Sequence, residues 1–514
     1  MSASHPTDDP TGAPADHALR WDAAWRERTW SSLSGPWDLA VVGGGIVGAG
    51  IARLAARSGA RVVLLERRDF ASGTSSRSSQ QVHGGLRYLA QGQLGLARSA
   101  VTERERLLAE APGLVRRVGA VFPLRTGERV RRLRYQAALT AYDALAGSRN
   151  RHRLSAYELR LLVPELDREG LVGGLRYSEG VTDDARLVLA VLQEAAVAGA
   201  AVLNHAPVTG LLRTGGQVCG VSVVDALTGL HVEVMASVVV NATGAWADLL
   251  RAEVGGRARM RPLRGSHLVV PGWRFPSSTV VNVRHPRDGR PVSVTPWLGA
   301  TVVGTTDLAH DGDLDRVAVT VDEVDYLLEA VSPPFRSLDL TRDDIVGTWS
   351  GVRPTVGTGA VDGPRELRGH VVWQESGLVT VTGGKLTTFR AIARDALSAA
   401  RLPGLRLDDS GPLFSVAVSP AASPVPRPDL EILAGTPFTL LDVRRAARAE
   451  AVQHLDDLML RRTRLGLLLP GGGEETLADV EVVCREELGW DKGRWAREVV
   501  DYRARITQEH GMPG

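Results

Sequence analysis

The chain has little cysteine: only Cys219 and Cys484 occur in 514 residues. They lie far apart and match no metal-ligand or dithiol spacing. This usage fits a reducing, cytoplasmic compartment. There is no uninterrupted apolar run of about 18 residues, so no membrane-spanning helix is expected. Neither sign of charge predominates. The 61 lysines and arginines face 59 acids, for a formal net charge of +2, which gives no overall pull toward nucleic acid. Residues 1–16 lack the basic start and apolar centre of a secretory signal, and residues 1–36 read as a disordered or poorly ordered tail. No internal repeat is present. The apolar content is ordinary for a soluble globular protein, and the length predicts two or three domains.

Trp37 to Glu66 reads as strand, glycine-rich turn, helix and strand. Asp38–Val42 is a short apolar run ending in Gly43-Gly44-Gly45-Ile46-Val47-Gly48. Ile46, Val47, Ile51, Leu54 and Ala55 then recur at helical spacing, and Gly59 suits the helix terminus. Arg61–Leu65 is a second apolar run, read as a buried parallel strand. In the fingerprint, Gly43 permits a tight turn. Gly45 lets the backbone approach a pyrophosphate at the helix N-terminus, and Gly48 lets the helix pack closely on the strand. Glu66 ends the second strand, where a carboxylate accepts hydrogen bonds from a ribose diol. The bland alternative, a glycine-rich turn without a ligand, leaves the flanking strands and Glu66 unexplained. The fingerprint alone does not separate FAD from NAD.

Further strand and helix patterns follow. Residues 182–198 are helical after a Thr-Asp-Asp cap, and 236–241 is a buried strand. Residues 297–305 and 371–382 read as strands and hairpins. Prolines and small residues mark a linker over 403–428, and helical periodicity resumes at 443–464 and 477–502.

The segment after the second strand is more specific. It reads Thr74-Ser75-Ser76-Arg77-Ser78-Ser79-Gln80-Gln81-Val82-His83-Gly84-Gly85-Leu86-Arg87-Tyr88. Later come Thr182-Asp183-Asp184-Ala185-Arg186, Asn241-Ala242-Thr243-Gly244, Gly265-Ser266-His267 and Gly304-Thr305-Thr306-Asp307. Gly351-Val352-Arg353-Pro354, Gly383-Gly384-Lys385-Leu386-Thr387-Thr388, His454-Leu455-Asp456-Asp457 and Arg461-Arg462-Thr463-Arg464 complete the series. In this order the motifs resemble the flavin-linked sn-glycerol-3-phosphate dehydrogenases, over residues 37–395 and again in the helical tail.

The resemblance implies an α/β (α+β) chain. A Rossmann-like FAD-binding domain of the glutathione-reductase/D-amino-acid-oxidase type would be interleaved with a mixed-sheet substrate domain. A small helical C-terminal domain would follow. The oxidoreductase domain would span 37–402, with FAD-binding parts near 37–120, 180–260 and 345–402, and the helical domain would span 429–514. It implies non-covalent FAD held by Gly43, Gly45, Gly48, Glu66, Arg67, Thr74, Ser75, Ser76, Gly244, Gly383, Gly384, Lys385, Leu386 and Thr387. The residues agree with this. Hydroxyls at 74–76 suit a pyrophosphate or flavin, and the 383–385 turn opens a helix whose N–H groups face an electron-rich ring.

The substrate implied is glycerol 3-phosphate. Arginine forks match phosphate geometry, and the resemblance assigns Arg87, Tyr88, Arg353, Arg368 and Lys385 to the substrate. An arbitrary arginine in so arginine-rich a chain is a solvated surface residue, whereas Arg87 and Arg353 lie inside motifs. Oxidation at C2 needs a proton acceptor or an electrophilic cation. His267, His83 and Arg353 are the candidates, with His267 preferred over the reading of a hydrogen-bonded core histidine. Asp307 would orient a positive side chain.

Three departures stand out. Gln80 and Arg264 replace lysines common in the family, and Phe389 replaces a tyrosine. The third is extent: the C-terminal domain looks shortened. The basic, amphipathic stretch near 125–140 suggests peripheral contact with the cytoplasmic face of the membrane, with a solvated helix face as the alternative. Quinone is the expected acceptor, and a homodimer is compatible. Competing readings are an oxygen-using glycerol-3-phosphate oxidase, an amino-acid or amine oxidoreductase of the same fold, and a non-catalytic flavoprotein.

Overall fold

Trp37–Val42, Ile46–Arg57 and Val62–Leu65 form the strand, helix and strand that the apolar periodicity predicts. Gly59, at a φ of 90°, turns the chain back after the helix. The structure, a computed structural model, describes residues 21–513 apart from 23, 87, 88, 90, 91, 148–150, 358–368 and 416–432.

The first sheet runs His370–Glu375, Leu378–Gly383, His231–Asn241, Trp37–Val42, Val62–Leu65, Ala201–Leu203. Its first pair is antiparallel and the other pairs along this path are parallel, while Gln217–Val224, itself paired with Val208–Thr214, joins His231–Asn241 antiparallel. Val42 pairs with Leu65 on one side and Asn241 on the other. The glycine turn, Glu66 and the 242–244 turn therefore leave the carboxyl ends of three neighbouring strands, where open α/β sheets bind ligands. The helix Ile46–Arg57 packs between Asp184–Val197 and Phe389–Ala400. Gly50 makes the second contact possible, since a Cβ there would meet the Phe389 ring at 2.7 Å.

The second sheet is mixed. It runs Leu308–Ala309, Leu263–Pro271, Ala300–Gly304, Pro291–Trp297, Val280–Arg284, Val115–Arg125, Leu171–Thr182, Gln81–Val82, and Gly347–Arg353 joins Leu263–Pro271. The chain passes from one sheet to the other and back, which gives the interleaved organisation expected.

The C-terminal helices Leu440–Ala449, Leu477–Leu488 and Lys492–Arg505 do not form an independent core. Val443, Leu458, Leu467 and Tyr502 pack in one cluster with Trp297, Val302 and Trp349 of the second sheet.

The expected tail over 1–36 needs correction for its second half. Trp25–Ser32 is a helix, and Trp21, Trp25 and Leu33 are buried. Trp21 stacks on Phe70 at 5.5 Å, and Arg26 pairs with Asp225 at 2.6 Å. Two aromatic anchors and one ion pair hold a helix whose polar composition hides them. Residues 1–20 lie outside the described residues. The start of the expected linker is also anchored. Leu413 and Phe414 are buried, and the Leu413 carbonyl accepts from Arg53 Nε at 2.9 Å.

Candidate active site

The dinucleotide cradle is built on steric exclusion. A Cβ on Gly43 would stand 2.6 Å from the Ala242 carbonyl oxygen, and one on Gly48 would stand 1.9 Å from the Gly43 oxygen. Turn, helix and neighbouring strand are therefore in backbone contact. Gly45 heads the helix without a side-chain cap, and Ser75 Oγ accepts from Ile46 N at 3.1 Å. Glu66 accepts from Gly44 N at 2.7 Å and Arg68 N at 2.9 Å. Burial raises its pKa, and these two N–H donors oppose the rise.

The second glycine turn closes the same edge. Gly383 and Gly384 take φ of 82° and 77°, and lead through the tight turn Leu386–Thr388 into the helix Phe389–Ala400. A Cβ on Gly384 would strike Ile392 at 2.4 Å. Thr382 Oγ1 donates to the Gly244 carbonyl at 3.0 Å, and Gly244 has a φ of 62°. Two helix N-termini and a carboxylate thus converge at one sheet edge, which fits an anionic dinucleotide. Lys385 is one of two lysines in the chain and is half-buried there, as is Leu386; Thr387 is buried.

Arg67 is turned to other partners. It lies 4.7 Å over the Trp246 ring and pairs with Asp315. Thr74 Oγ1 donates to the Val352 carbonyl at 2.5 Å, and Ser76 is buried with Oγ 3.5 Å from the Gly73 carbonyl.

Sheet register brings three distant motifs together. Gly265 pairs with Gly351, and His267 pairs with both Trp349 and Gly304. Each glycine makes room for a neighbour. A Cβ on Gly265 would meet Arg353 Nη2 at 2.4 Å, one on Gly304 would meet His267 Cδ2 at 2.1 Å, and one on Gly351 would meet the Arg77 carbonyl at 2.4 Å. On this floor Arg353 Nη1 donates to Asp307 Oδ1 at 2.8 Å, and Nη2 donates to Thr305 Oγ1 at 3.2 Å. Ser79 Oγ lies 2.8 Å from His267 Nε2, and the imidazole stacks on Trp349 at 5.2 Å. Trp349 Nε1 donates to the Ser78 carbonyl at 3.1 Å. The loop 74–80 thereby lies across the floor.

His267 is 2 % exposed. Burial, with the Arg353 charge beside it, pushes its pKa down to about 3. The imidazole is therefore neutral near pH 7, and an imidazolium there would oppose the guanidinium. This argues against the preference for His267 as proton acceptor. His83 is half-buried and directly follows the strand Gln81–Val82.

Glu179 belongs to none of the motifs in the sequence. It is 2 % exposed, on the strand Leu171–Thr182 beside Gln81–Val82. It accepts from Gly84 N at 3.3 Å and faces Tyr142 Oη at 3.5 Å. A Cβ on Gly84 would stand 1.7 Å from Tyr142 Oη, so the His83-Gly84 backbone is clamped onto this cluster. Burial pushes Glu179 up to about 7, against the pull of Arg104 and Lys385. The anion is the form that best accepts from Gly84 and faces Lys385, so activity is expected to rise as pH increases through about 7. The kcat/KM profile of Glu179→Gln should lack that inflection; a variant that keeps it would show that another group titrates.

The three substitutions find a physical setting. Gln80 is fully buried at a φ of 58°, and its Oε1 accepts from Asp184 N at 3.1 Å. A lysine cannot accept that bond. Arg264 faces away from His267 and pairs with Glu323 at 2.9 Å, and Glu323 also accepts from Ser266 and Thr306. Phe389 is fully buried against Gly50, where a tyrosine hydroxyl would need a partner. Of the expected site residues, Arg87, Tyr88 and Arg368 lie outside the described residues.

This fold and cradle define an FAD-dependent oxidoreductase. Residues 38–394 match the family of FAD dependent oxidoreductases, and residues 416–495 match the C-terminal domain of alpha-glycerophosphate oxidase. Glycerol-3-phosphate dehydrogenase 2 of Mycobacterium tuberculosis (strain ATCC 25618 / H37Rv) is 36% identical, across 98% of this chain and 94% of the relative. The aerobic glycerol-3-phosphate dehydrogenase of Staphylococcus aureus (strain MRSA252) is 37% identical, across 70% of this chain and 66% of the relative. The structure of glycerol-3-phosphate dehydrogenase from Bacillus halodurans complexed with FAD superimposes with a TM-score of 0.76 at 26% identity, covering 95% of this chain and 98% of that one. The chain belongs to the FAD-dependent glycerol-3-phosphate dehydrogenase family. The match from residue 416 begins within the stretch read as a linker.

Proposed function

We propose that the chain oxidises sn-glycerol 3-phosphate to glycerone phosphate and passes the electrons to quinone. The observation that carries this reading is the glycine-floored Arg353–Asp307 pair beside His267, on the sheet floor crossed by the loop 74–80, the flavin loop of this reading. Bound FAD supplies the acceptor for the hydride leaving substrate C2. The Arg353 fork, preset by Asp307 and Thr305, meets the substrate phosphate bidentately. Lys385 adds a second cation, and Arg87, Tyr88 and Arg368 complete the set by resemblance. His83 takes the C2 hydroxyl proton. The neutral His267, stacked on Trp349 and hydrogen-bonded to Ser79, is held by the loop 74–80 in place beside Arg353.

The helix Arg129–Ala146 supports membrane contact. Arg129, Arg131 and Arg134 surround Val130 and Leu133, which are 64% and 65% exposed. Arginines around exposed aliphatics suit an anionic lipid surface near quinone. Among the described residues, no helix is long and apolar enough to cross a membrane.

Turnover of glycerol 3-phosphate in vesicles holding quinone tests this reading. Faster turnover on anionic than on neutral vesicles is expected, and His83→Asn should lower kcat by roughly a hundredfold with FAD retained. Stoichiometric hydrogen peroxide with no dependence on quinone would assign the oxidase reaction instead.

A further inference from the structure

The motif Arg461-Arg462-Thr463-Arg464 lies far along the chain from the flavin fingerprint, yet its side chains reach the flavin loop. The turn Leu458–Arg462 presents Arg461 and Arg462 to Asp69, the latter at 2.5 and 2.8 Å. These pairs occupy the only group of acids and histidine with metal-ligand spacing among the described residues, Asp69, His205 and Asp457. Arg464 goes further. It is 1% exposed and sits at a φ of 58°, in the left-handed region.

Its guanidinium is fully engaged. Nη2 donates to Asp183 Oδ1 at 2.7 Å and to Asp184 Oδ1; Nε donates to Asp183 Oδ1 at 3.0 Å. Nη1 donates to the Ser76 carbonyl at 3.2 Å and the Leu460 carbonyl at 2.9 Å. The other oxygen of Asp184 accepts from Ser78 N at 2.8 Å, and Asp184 N donates to Gln80. From Ser78 and Ser79 the chain of contacts runs to Trp349 and His267. A second path runs through aromatic rings. Arg464 lies 5.7 Å over Trp297, which meets Trp349 edge-on at 5.6 Å, and Trp349 stacks on His267.

We propose that Arg464 is a positioning residue for the active site: the C-terminal domain, through Arg464 and Asp184, sets the geometry of Ser78–Gln80 and thereby of His267. The proposal rests on the site described above. Asp184 is the junction. Its two oxygens face opposite ways, one toward the C-terminal guanidinium and one toward the flavin-loop amide. Only a planar fork serves Asp183, Asp184 and two carbonyls together; a lysine ammonium has three donors and no fixed plane.

The test is Arg464→Lys in the full-length flavoprotein. FAD content is expected to remain above nine tenths of wild type. The rate of flavin reduction by glycerol 3-phosphate should fall at least tenfold, with KM within threefold. In Arg464→Ala, added guanidinium should restore part of the rate. A lowered Tm with wild-type reduction rate, measured well below that Tm, would reduce Arg464 to a structural role and overturn the proposal. If Arg464→Lys does not fold, Asp184→Asn decides: it is isosteric and still accepts from Ser78 N, and the same tenfold loss is expected, with an unchanged rate overturning the proposal. Arg353→Ala run alongside separates the two levels. Wild-type kinetics there would sink the site itself, whereas wild-type kinetics only at 464 and 184 would sink the positioning role.

Discussion

Gly48→Val is expected to yield protein that purifies without FAD. The Cβ alone would stand 1.9 Å from the Gly43 oxygen, where contacts under 3.0 Å are essentially never seen. The oxygen is backbone, so no rotamer relieves the overlap. The helix must move off the strand by on the order of 1 Å, and a shift of that size in a binding site costs about a hundredfold in function. Gly48 touches no substrate group, so the loss falls on the cofactor. Visible absorbance per protein should drop below roughly one tenth of wild type, given that shift, while far-ultraviolet circular dichroism reports a folded chain. Full flavin in a folded Gly48→Val protein would contradict the backbone cradle. Gly45→Val should be milder in packing, since its Cβ meets only the Ser75 side chain, with Oγ at 3.1 Å, but should also weaken FAD binding at the helix N-terminus.

Arg353→Ala should do the reverse: flavin stays and turnover goes. Arg353 is remote from the fingerprint and holds the sheet-floor position beside Asp307. Each charge-assisted hydrogen bond to a phosphate contributes about 1.5–3 kcal/mol, so loss of a bidentate contact removes roughly 3–6 kcal/mol. That is a fall in kcat/KM of about a hundredfold to ten-thousandfold. The side chain is 35% exposed, so water screens the contact and the lower end is expected. Arg353→Lys should recover only part, because an ammonium replaces the fork. The visible spectrum without substrate should match wild type. Unchanged kinetics in Arg353→Ala would remove Arg353 from the phosphate site.

The contrast between these two variants tracks what could be read from sequence. The fingerprint is local. Gly43, Gly45, Gly48 and Glu66 fall within one strand–helix–strand unit, so spacing alone predicts their arrangement. The proposed substrate floor is not local. Gly265, Gly304 and Gly351 are recognisable as motifs, but only strand register sets Gly265 opposite Gly351 and His267 against Gly304. Asp307 becomes the partner of Arg353 for the same reason. His267 stood out by its motif, whereas its burial and the nearby Arg353 charge, which disfavour a proton-accepting role, exist only in the folded chain.

Other features had no signal in the sequence. Glu179 sits in an unremarkable strand, and its neighbours Arg104, Tyr142 and Gly84 come from three other segments. The bonds from Arg464 to Asp183 and Asp184 join residues far apart in the chain. At the N-terminus, the polar composition hides Trp21 and Trp25, whose burial depends on long-range partners: Trp21 stacks on Phe70, and Arg26 donates to the Asn204 carbonyl.

The measurement that bears most directly on this mechanism is anaerobic bleaching of the bound flavin by glycerol 3-phosphate, with glycerol as control. Loss of visible absorbance with the phosphate ester alone is the expected result, because it requires the cradle, the Arg353 site and hydride transfer together. A bound flavin that stays oxidised with the ester, or bleaches equally with glycerol, would contradict the assignment of this site to a phosphorylated substrate.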